Sequence, residues 1–315
     1  MMRQEIKDSI TENRKKDRPL SDKSVTAYVS TLSTLYKKIF GEDEFDINDF
    51  NKYIEILGYL DDIPYNKRKT ILASLLTVTT DKTAYDKYHK AMMADAKDYD
   101  KEMEQNEMTD KYEENWITGD EIGEKGIPLK ERWDELINKP DKIPAEKQEL
   151  QQYLLYALTS GKKNILPRRL LDWTEMKVEN HDARAKVKPE YNIYDPKKKQ
   201  FYFYRYKTDK SFNRQIIKPS LELKKALALW IKNKPDSEYL FTDRNNSKLS
   251  PVTLNQRLNK IYGDHKSINS IRHSFITEKY KGEEMPSIKE LKENATKMAH
   301  SGLTHLKYIK RKINR

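Results

Sequence analysis

Four segments in the C-terminal half of the chain carry side chains that can bind a phosphate or act as a nucleophile. They are the run LPRRLLDW at 166–173, Tyr206-Lys207-Thr208, the run NSIRHSF at 269–275, and the run MAHS at 298–301 followed by Tyr308. Guanidinium groups match phosphate oxygens in bidentate fashion and stay protonated at any working pH. A phenol can form a covalent intermediate. Together the four segments indicate chemistry on a phosphate group.

The order and content of these segments resemble the tyrosine recombinase (phage-integrase) family. In that family an acid follows the first arginine by three residues, and a lysine lies on a β-hairpin. An H-x-x-R-H helix supplies the second arginine, and a G-H segment precedes the nucleophilic tyrosine. The matching positions here are Arg169 with Asp172, Lys207, Arg272 with His273, His300 and Tyr308. The match spans about 155–310, and the N-terminal region resembles the family's helical core-binding domain more loosely.

The resemblance implies a site-specific recombinase or integrase, as found in mobile elements and viruses, and a role for each residue. Arg169 and Arg272 would clamp the nonbridging oxygens of the scissile phosphate. Lys207 would protonate the departing 5′ oxygen, and Tyr308 would attack to leave a 3′-phosphotyrosyl bond. That covalent bond retains the energy needed for rejoining, so we expect no cofactor, no metal and no ATP. The sequence accordingly shows no glycine-rich phosphate loop.

Two positions depart from the family pattern. Asn269 stands where a histidine usually precedes the second arginine by three residues. Asparagine can donate a hydrogen bond to phosphate but cannot exchange a proton near neutral pH, so acid or base work would fall to His300 or to water. His300 also precedes Tyr308 by eight residues rather than nine, a difference that a loop at Ser301-Gly302 could absorb.

Simpler interpretations stay open. They are surface charge for Arg168 and Arg169 with Asp172 as a local partner, a solvated side chain for Lys207 with Lys210 nearby, and a structural role for His273. Arg272 lies on an apolar helix face, and burial there would require an anion or a carboxylate partner. At the level of the whole protein, the alternatives are a catalytically degenerate DNA-binding protein of the same fold, a type IB topoisomerase-like enzyme, and a lysine-rich structural or RNA-binding protein.

Double-stranded DNA is the partner that the resemblance implies. Two protomers would bind each recombination site, four would form the synapse, and the two domains of each would close around the duplex as a clamp. The distribution of charge agrees with this expectation. The formal charges add up to zero over residues 1–80, to −8 over 81–150 and to +19 over 151–315. A polycationic half with interleaved aromatic residues can displace counterions from a phosphate backbone. A lysine-rich solvated surface is the plainer interpretation of the same charges.

Composition limits the class of protein. The chain has 315 residues, 61 Lys and Arg against 50 Asp and Glu, and 36% hydrophobic residues. Its length predicts two domains, since a single core stops growing at roughly 250–300 residues. The lack of cysteine excludes a disulfide-stapled module, a cysteine nucleophile and thiolate metal sites. Because no apolar run reaches the roughly 18–20 residues of a bilayer span, we expect no membrane association and an intracellular protein located with its target DNA.

The fold class predicted from these patterns is mainly α. Apolar residues at helical spacing predict helices over 21–39, from about 46, and after Pro64, so residues 1–80 are predicted to form a helical bundle. The resemblance implies that this bundle is the core-binding domain, which clamps the DNA. Residues 81–115 read as an acidic polar helix and linker, a possible partner-contact or autoinhibitory element. Residues 116–315 form the predicted catalytic domain.

The catalytic domain is predicted to be mostly helical with a small three-stranded antiparallel sheet. β-Prone runs lie at 191–194, 200–206 and 213–217. Gly161 is placed to end the helix that follows Pro144. Further helices are predicted at about 219–232, 250–262, 267–280 and 287–299.

Overall fold

The computed structural model describes residues 2–13, 20–41, 44–163, 165–182, 189–281 and 286–310. The chain divides into two compact units, Met1–Gln105 and Asn106–Arg315. The division falls inside the segment 81–115, so the long helix Lys82–Glu104 belongs to the first unit and the last ten residues of the segment belong to the second. The functions assigned to the domains stay predictions.

The first unit is helical. Its elements are α1 (Met2–Asn13), α2 (Asp22–Ile39), a 3-10 helix (Ile47–Asn51), α3 (Tyr53–Leu60), α4 (Tyr65–Leu75) and α5 (Lys82–Glu104). The predicted helix at 21–39 is confirmed as α2, and the Ser21 hydroxyl caps it by accepting from the Ser24 N–H at 3.2 Å. Its core includes Tyr36, Phe50 and Tyr88.

Helix α5 is polar in composition but is anchored at a few buried positions. Ala84 and Tyr88 are fully buried against the rest of the first unit, and the Tyr88 hydroxyl donates to the Phe50 carbonyl at 2.9 Å. Farther along, the buried Asp95 carboxylate pairs with the guanidinium of Arg68 on α4. A few well-placed contacts therefore anchor a helix whose mean composition is polar.

The second unit is also mostly helical. Its helices are α6 (Asp110–Glu114), α7 (Gly119–Ile137), α8 (Pro144–Thr159), α9 (Leu171–Thr174), α10 (Asp209–Phe212), α11 (Leu221–Asn233), α12 (Pro251–Tyr262), α13 (Ile268–Lys279), α14 (Ile288–Lys297) and α15 (Gly302–Lys307). The helices predicted in this unit correspond to α8 and α11–α14. Ser220, Ser250, Ser267 and Ser287 cap α11–α14 through their side chains. In the described ranges, no helix is both long and apolar enough to cross a bilayer.

A four-stranded sheet lies in the second unit. Its strands are β1 (Lys177–Val178), β2 (Ile193–Asp195), β3 (Gln200–Phe203) and β4 (Gln215–Ile217), in that order. β2, β3 and β4 are antiparallel, as predicted, whereas β1 is an unpredicted fourth strand that runs parallel to β2. Between β3 and β4 lies the short helix α10. The fold class, mainly α with a small sheet, is confirmed.

The sheet packs on the segment that carries the adjacent arginines. Trp173 of α9 is buried, and its ring meets those of Phe201 and Phe203 edge-on at 5.6 and 5.4 Å between centroids. The guanidinium carbon of Arg168 lies 4.0 Å from the Phe203 ring centroid. This packing fixes one arginine of the pair within the core.

Buried side chains and one hydrogen bond fix helix α13 within the second unit. Ile271 and Ile276 are fully buried. The carboxylate of Glu278 accepts a hydrogen bond from the Gly119 N–H at the start of α7. An acidic side chain at a helix N-terminus is favourable, so this contact fixes α13, and with it Arg272, against α7.

A substitution at Gly161 tests the structure at the C-terminal end of α8. Its φ is +77°, and an added Cβ would meet the ring of Phe275. We expect Gly161→Ala to lower the free energy of unfolding by about 1–2 kcal/mol from the left-handed backbone alone, and further because of the ring. All four tryptophans lie in the second unit, so tryptophan fluorescence during urea unfolding reports on this unit.

Gly123→Ala is the matched control. Gly123 lies within α7, and an added Cβ there would meet nothing within 4 Å. We expect this change to stabilise the second unit by about 0.5–1 kcal/mol. Equal effects at both glycines would contradict the backbone assignment.

Candidate active site

The C-terminal end of α14 forms the framework of the site. The Ala299 N–H donates to the Thr296 carbonyl at 2.9 Å, and the His300 N–H donates to the Ala295 carbonyl at 3.1 Å. Ala299 has a φ of +58°. This pair of bonds, with one left-handed residue, is a Schellman motif, here with alanine where glycine is usual. The motif reverses the chain and aims the last carbonyls of α14 away from its axis.

Three arginines donate to consecutive carbonyls at this helix end. The pairs are Arg168 with Lys297 (2.7 Å), Arg272 with Met298 (3.3 Å) and Arg169 with Ala299 (2.6 Å). The Gln215 amide adds a bond to the carbonyl of Thr296 at 2.7 Å. Helix C-termini leave carbonyls unpaired and carry partial negative charge, so cationic donors stabilise them. The helix end therefore gathers three segments that are far apart in the sequence.

The positive charge of Arg168 is balanced by a buried carboxylate. It is fully buried, and its Nε lies 2.7 Å from Oδ2 of Asp172, which is buried as well. Burial lowers the pKa of Arg168 and raises that of Asp172, while their mutual attraction opposes both shifts. Asp172 thus pairs with Arg168, although the family pattern couples this position in sequence to Arg169.

Arg169 and Arg272 have no such compensation. Neither forms an ion pair with a carboxylate in the part of the chain that the structure describes. The partners of Arg272 are backbone carbonyls, including that of Pro167 at 2.8 Å, and the ring of His300. Arg272 is fully buried, and burial lowers its pKa to about 10, so it stays charged at neutral pH. Within the described ranges no carboxylate pairs with Arg272, so the site holds two positive charges that no ion pair neutralises.

His300 is packed against Arg272. Its Nδ1 lies 2.9 Å from a terminal nitrogen of Arg272, and its Nε2 lies 2.6 Å from Nδ1 of His305. The ring is buried. Burial, reinforced by the charge of Arg272, lowers the pKa of His300 to about 2. His300 is therefore neutral, and protein groups occupy both of its ring nitrogens.

Tyr308 lies at the end of α15, beside this cluster. Its ring centroid is 5.4 Å from the guanidinium carbon of Arg272 and 5.1 Å from the His300 ring centroid. The ring stacks on His273 at 4.1 Å with an interplanar angle of 11°. The Tyr308 carbonyl accepts from His273 Nδ1 at 3.0 Å and from the Thr277 hydroxyl at 3.4 Å. Helix α13 therefore holds both the backbone and the ring of Tyr308.

His273 has a definite protonation state in this arrangement. A carbonyl oxygen can only accept, so Nδ1 of His273 carries a proton. Burial lowers the pKa of His273 to about 4, which makes it neutral. The ring of Tyr112, in α6, packs against the ring of His273 with their centroids 5.3 Å apart and an interplanar angle of 67°. The structural role that the sequence suggested for His273 is thus the support of the Tyr308 ring.

Lys207 and Asn269 are not brought into contact with the cluster. Both are exposed, and neither makes a hydrogen bond or an ion pair with the other candidates among the described residues. Lys207 lies between β3 and β4, and its neighbour Thr208 donates to the Ala299 carbonyl at 2.7 Å. That carbonyl also binds Arg169, so the backbone at 207 is fixed beside the site while its side chain extends into solvent.

The structure thus gathers four of the six candidate residues: Arg169, Arg272, His300 and Tyr308. Sequence analysis did not single out the supporting groups Gln215, Tyr280 and His305, and it gave Thr208 no role of its own. None of these has a local signal, because each acts through a contact with a distant segment. The described ranges contain no group of three or more acidic or histidine side chains that could hold a metal ion.

No family model matches this chain, and no curated protein matches it. Among solved structures, the chain is similar to a protelomerase variant covalently complexed with substrate DNA. The TM-score is 0.40 and the sequence identity 10%, over 99% of this chain and 95% of the other.

The two adjacent arginines differ in a way that stability measurements can test. We expect Arg168→Ala to cost about 3–5 kcal/mol, because it leaves the Asp172 carboxylate buried without its partner. Arg169→Ala should cost about 0.5–1.5 kcal/mol, the value of one hydrogen bond to a carbonyl. Urea unfolding followed by tryptophan fluorescence measures both. A larger loss for Arg169→Ala than for Arg168→Ala would contradict the assignment.

Proposed function

We propose that this protein is a DNA strand-transferase of the tyrosine recombinase type. It cuts and rejoins duplex DNA through a 3′-phosphotyrosyl intermediate on Tyr308. One observation carries the proposal: two guanidinium groups without a carboxylate partner meet at one helix end, with a phenol beside them. Arg169 and Arg272 bind neighbouring carbonyls, and the Tyr308 ring centroid lies 5.4 Å from the guanidinium carbon of Arg272.

Electrostatics supports an anionic substrate. A buried cation without a counter-ion is unfavourable, and an incoming anion would relieve that cost. A phosphodiester carries one negative charge, and its in-line transition state gathers more on the nonbridging oxygens. Arg169 and Arg272 would stabilise that developing charge. Arg272 acts chiefly through its charge, because its terminal nitrogens are bonded to carbonyls and to His300.

The reaction requires a nucleophile, a leaving group and a proton donor. The Tyr308 phenol attacks phosphorus and gives up its proton to solvent, and the P–O bond to the 5′ oxygen breaks. Lys207 supplies a proton to that 5′ oxygen. A free 5′ hydroxyl later attacks the phosphotyrosine, which restores the phenol and reseals the strand. Stacking on His273 limits rotation of the attacking ring.

Lys207 must approach the phosphate for this role. Its backbone is fixed beside Arg169 through Thr208, and its flexible side chain is solvated in the free protein. We propose that bound DNA draws the ammonium group towards the leaving oxygen. Asn269, one turn before Arg272 on α13, would donate a hydrogen bond to the DNA backbone.

Binding of the duplex would rest on the positive surplus of residues 151–315. Two protomers at each site, and four in the synapse, complete the proposed assembly. A catalytically degenerate DNA-binding protein of the same fold is the second candidate. The observation that favours it is the position of Lys207, which no described contact joins to the other catalytic candidates.

Covalent capture tests the proposal. The protein is incubated with a pool of nicked duplexes of randomised sequence, in which cleavage releases a short strand and prevents rejoining. We expect an adduct that survives SDS for the wild type and none for Tyr308→Phe. Tyr85→Phe changes an exposed tyrosine of α5 in the same way and should leave the adduct unchanged.

The Arg169→Ala variant tests the proposal through a partial loss in the rate of adduct formation. Loss of one charge-assisted donor typically costs about 2.7–4 kcal/mol, on the order of a hundred- to thousandfold in rate. We expect that reduction in the rate of adduct formation, with little loss of folding stability. Duplex binding without any wild-type adduct would contradict strand transfer and favour the degenerate protein.

A further inference from the structure

A chain of hydrogen bonds leads from Arg272 into the protein interior. Nδ1 of His300 faces Arg272, and Nε2 of His300 lies 2.6 Å from Nδ1 of His305. Nε2 of His305 lies 3.2 Å from the hydroxyl of Tyr280. His300 is 2% exposed and His305 is fully buried, so water cannot replace these contacts.

The chemistry of the groups fixes the direction of each bond. A guanidinium group can only donate, so Nδ1 of His300 must accept. A neutral imidazole then carries its proton on Nε2, which donates to Nδ1 of His305. His305 in turn carries its proton on Nε2 and donates to Tyr280. The low pKa values of both histidines, about 2 and about 4, agree with neutral rings.

The far end of the chain is also anchored. The Asn294 amide of α14 donates to the Tyr280 hydroxyl at 2.9 Å. Tyr280 follows directly after α13, the helix that carries Arg272. The chain of bonds therefore runs from α13 through α15 and returns to the end of α13, with α14 supporting the return.

We propose that His305 is a positioning residue, which sets the tautomer of His300 and thereby holds Arg272 in place. This role deepens the proposed strand-transfer function and rests on it. The expectation that His300 performs acid or base chemistry gives way to a different role. With Nε2 committed to His305 and Nδ1 to Arg272, His300 presents no free ring nitrogen to a phosphate.

Two substitutions separate this role from simple packing. His305→Asn keeps an acceptor near the position of Nδ1, so His300 can still donate to it. His305→Leu retains bulk but leaves the Nε2 proton of His300 buried without an acceptor. In metal sites, partners that orient a histidine typically contribute about 10- to 100-fold to activity, and we expect an effect of similar size here.

The tautomer itself can be measured without any catalytic assay. The full chain has six histidines, and histidine labelled with ¹⁵N in the ring gives resolved long-range spectra by NMR. His300→Gln identifies the signals of residue 300. We expect the wild type and His305→Asn to show a protonated Nε2 and an unprotonated Nδ1 at neutral pH. A proton on Nδ1 of His300 would overturn the proposal.

The functional readout is the rate of adduct formation on the nicked duplexes. We expect His305→Leu to be slower by about 10- to 100-fold with unchanged duplex affinity, and His305→Asn to stay within about threefold of wild type. His89→Leu, at an exposed histidine of α5, controls for the substitution itself. If His305→Leu fails to fold, a His305→Asn rate that falls as far as tenfold overturns the proposal.

Failure of this proposal differs from failure of the proposed function. A wild type that forms no adduct refutes strand transfer, and with it the catalytic consequence of His305. The NMR spectrum then still decides whether the hydrogen-bond chain exists. A wild type that forms the adduct, with His305→Leu folded and equally fast, refutes the positioning role alone.

Discussion

The hydrogen bonds from three arginines to consecutive carbonyls at the C-terminal end of α14 are the constraint on which the rest of the site depends. The carbonyls belong to residues 297, 298 and 299, where the Schellman turn leaves them available. A helix end needs donors, and the arginines need acceptors once they leave water. Satisfying both requirements brings the segment before α9, the helix α13 and the turn before α15 to one place. The phenol of Tyr308 follows because α15 begins directly after that turn.

The same constraint separates stability from function. Arg168 is neutralised by Asp172 and stabilises the fold, while Arg169 and Arg272 keep their charge uncompensated. Ala299 holds a left-handed conformation that disfavours residues with a Cβ, a local cost of the type found at functional sites. The fold thus carries a positive site whose cost an anionic ligand would offset. The hydrogen bonds of His300 and the stacking of His273 then orient the groups around that position.

Much of the fold could be predicted from the sequence, because its helices begin and end at local signals. Ser21, Pro144 and Gly161 mark helix ends that the structure confirms. Strand β1 could not be predicted, since its two residues pair in parallel with a strand outside any periodic pattern. The buried contacts of helix α5 could not be predicted, because its few buried residues are widely spaced along a polar sequence.

The residue types of the candidate site could be predicted from the sequence, but the contacts between those residues could not. Nothing local distinguishes Arg168 from Arg169, and only the position of the sheet decides which one is buried. Ala299 gave no sign of a left-handed turn, since the usual glycine is missing. His305 acts only through His300, so no spacing rule could single it out. Lys207 and Asn269 are exposed, and no local pattern in the sequence indicated that the fold would leave them outside the cluster.

Identification of the residue that carries the DNA tests the central claim most directly. The adduct trapped on a nicked duplex is digested with nuclease and trypsin, and mass spectrometry locates the remaining nucleotide. The account predicts a nucleotide on the phenol oxygen of Tyr308. A nucleotide on another side chain, such as the neighbouring Tyr112, would contradict it.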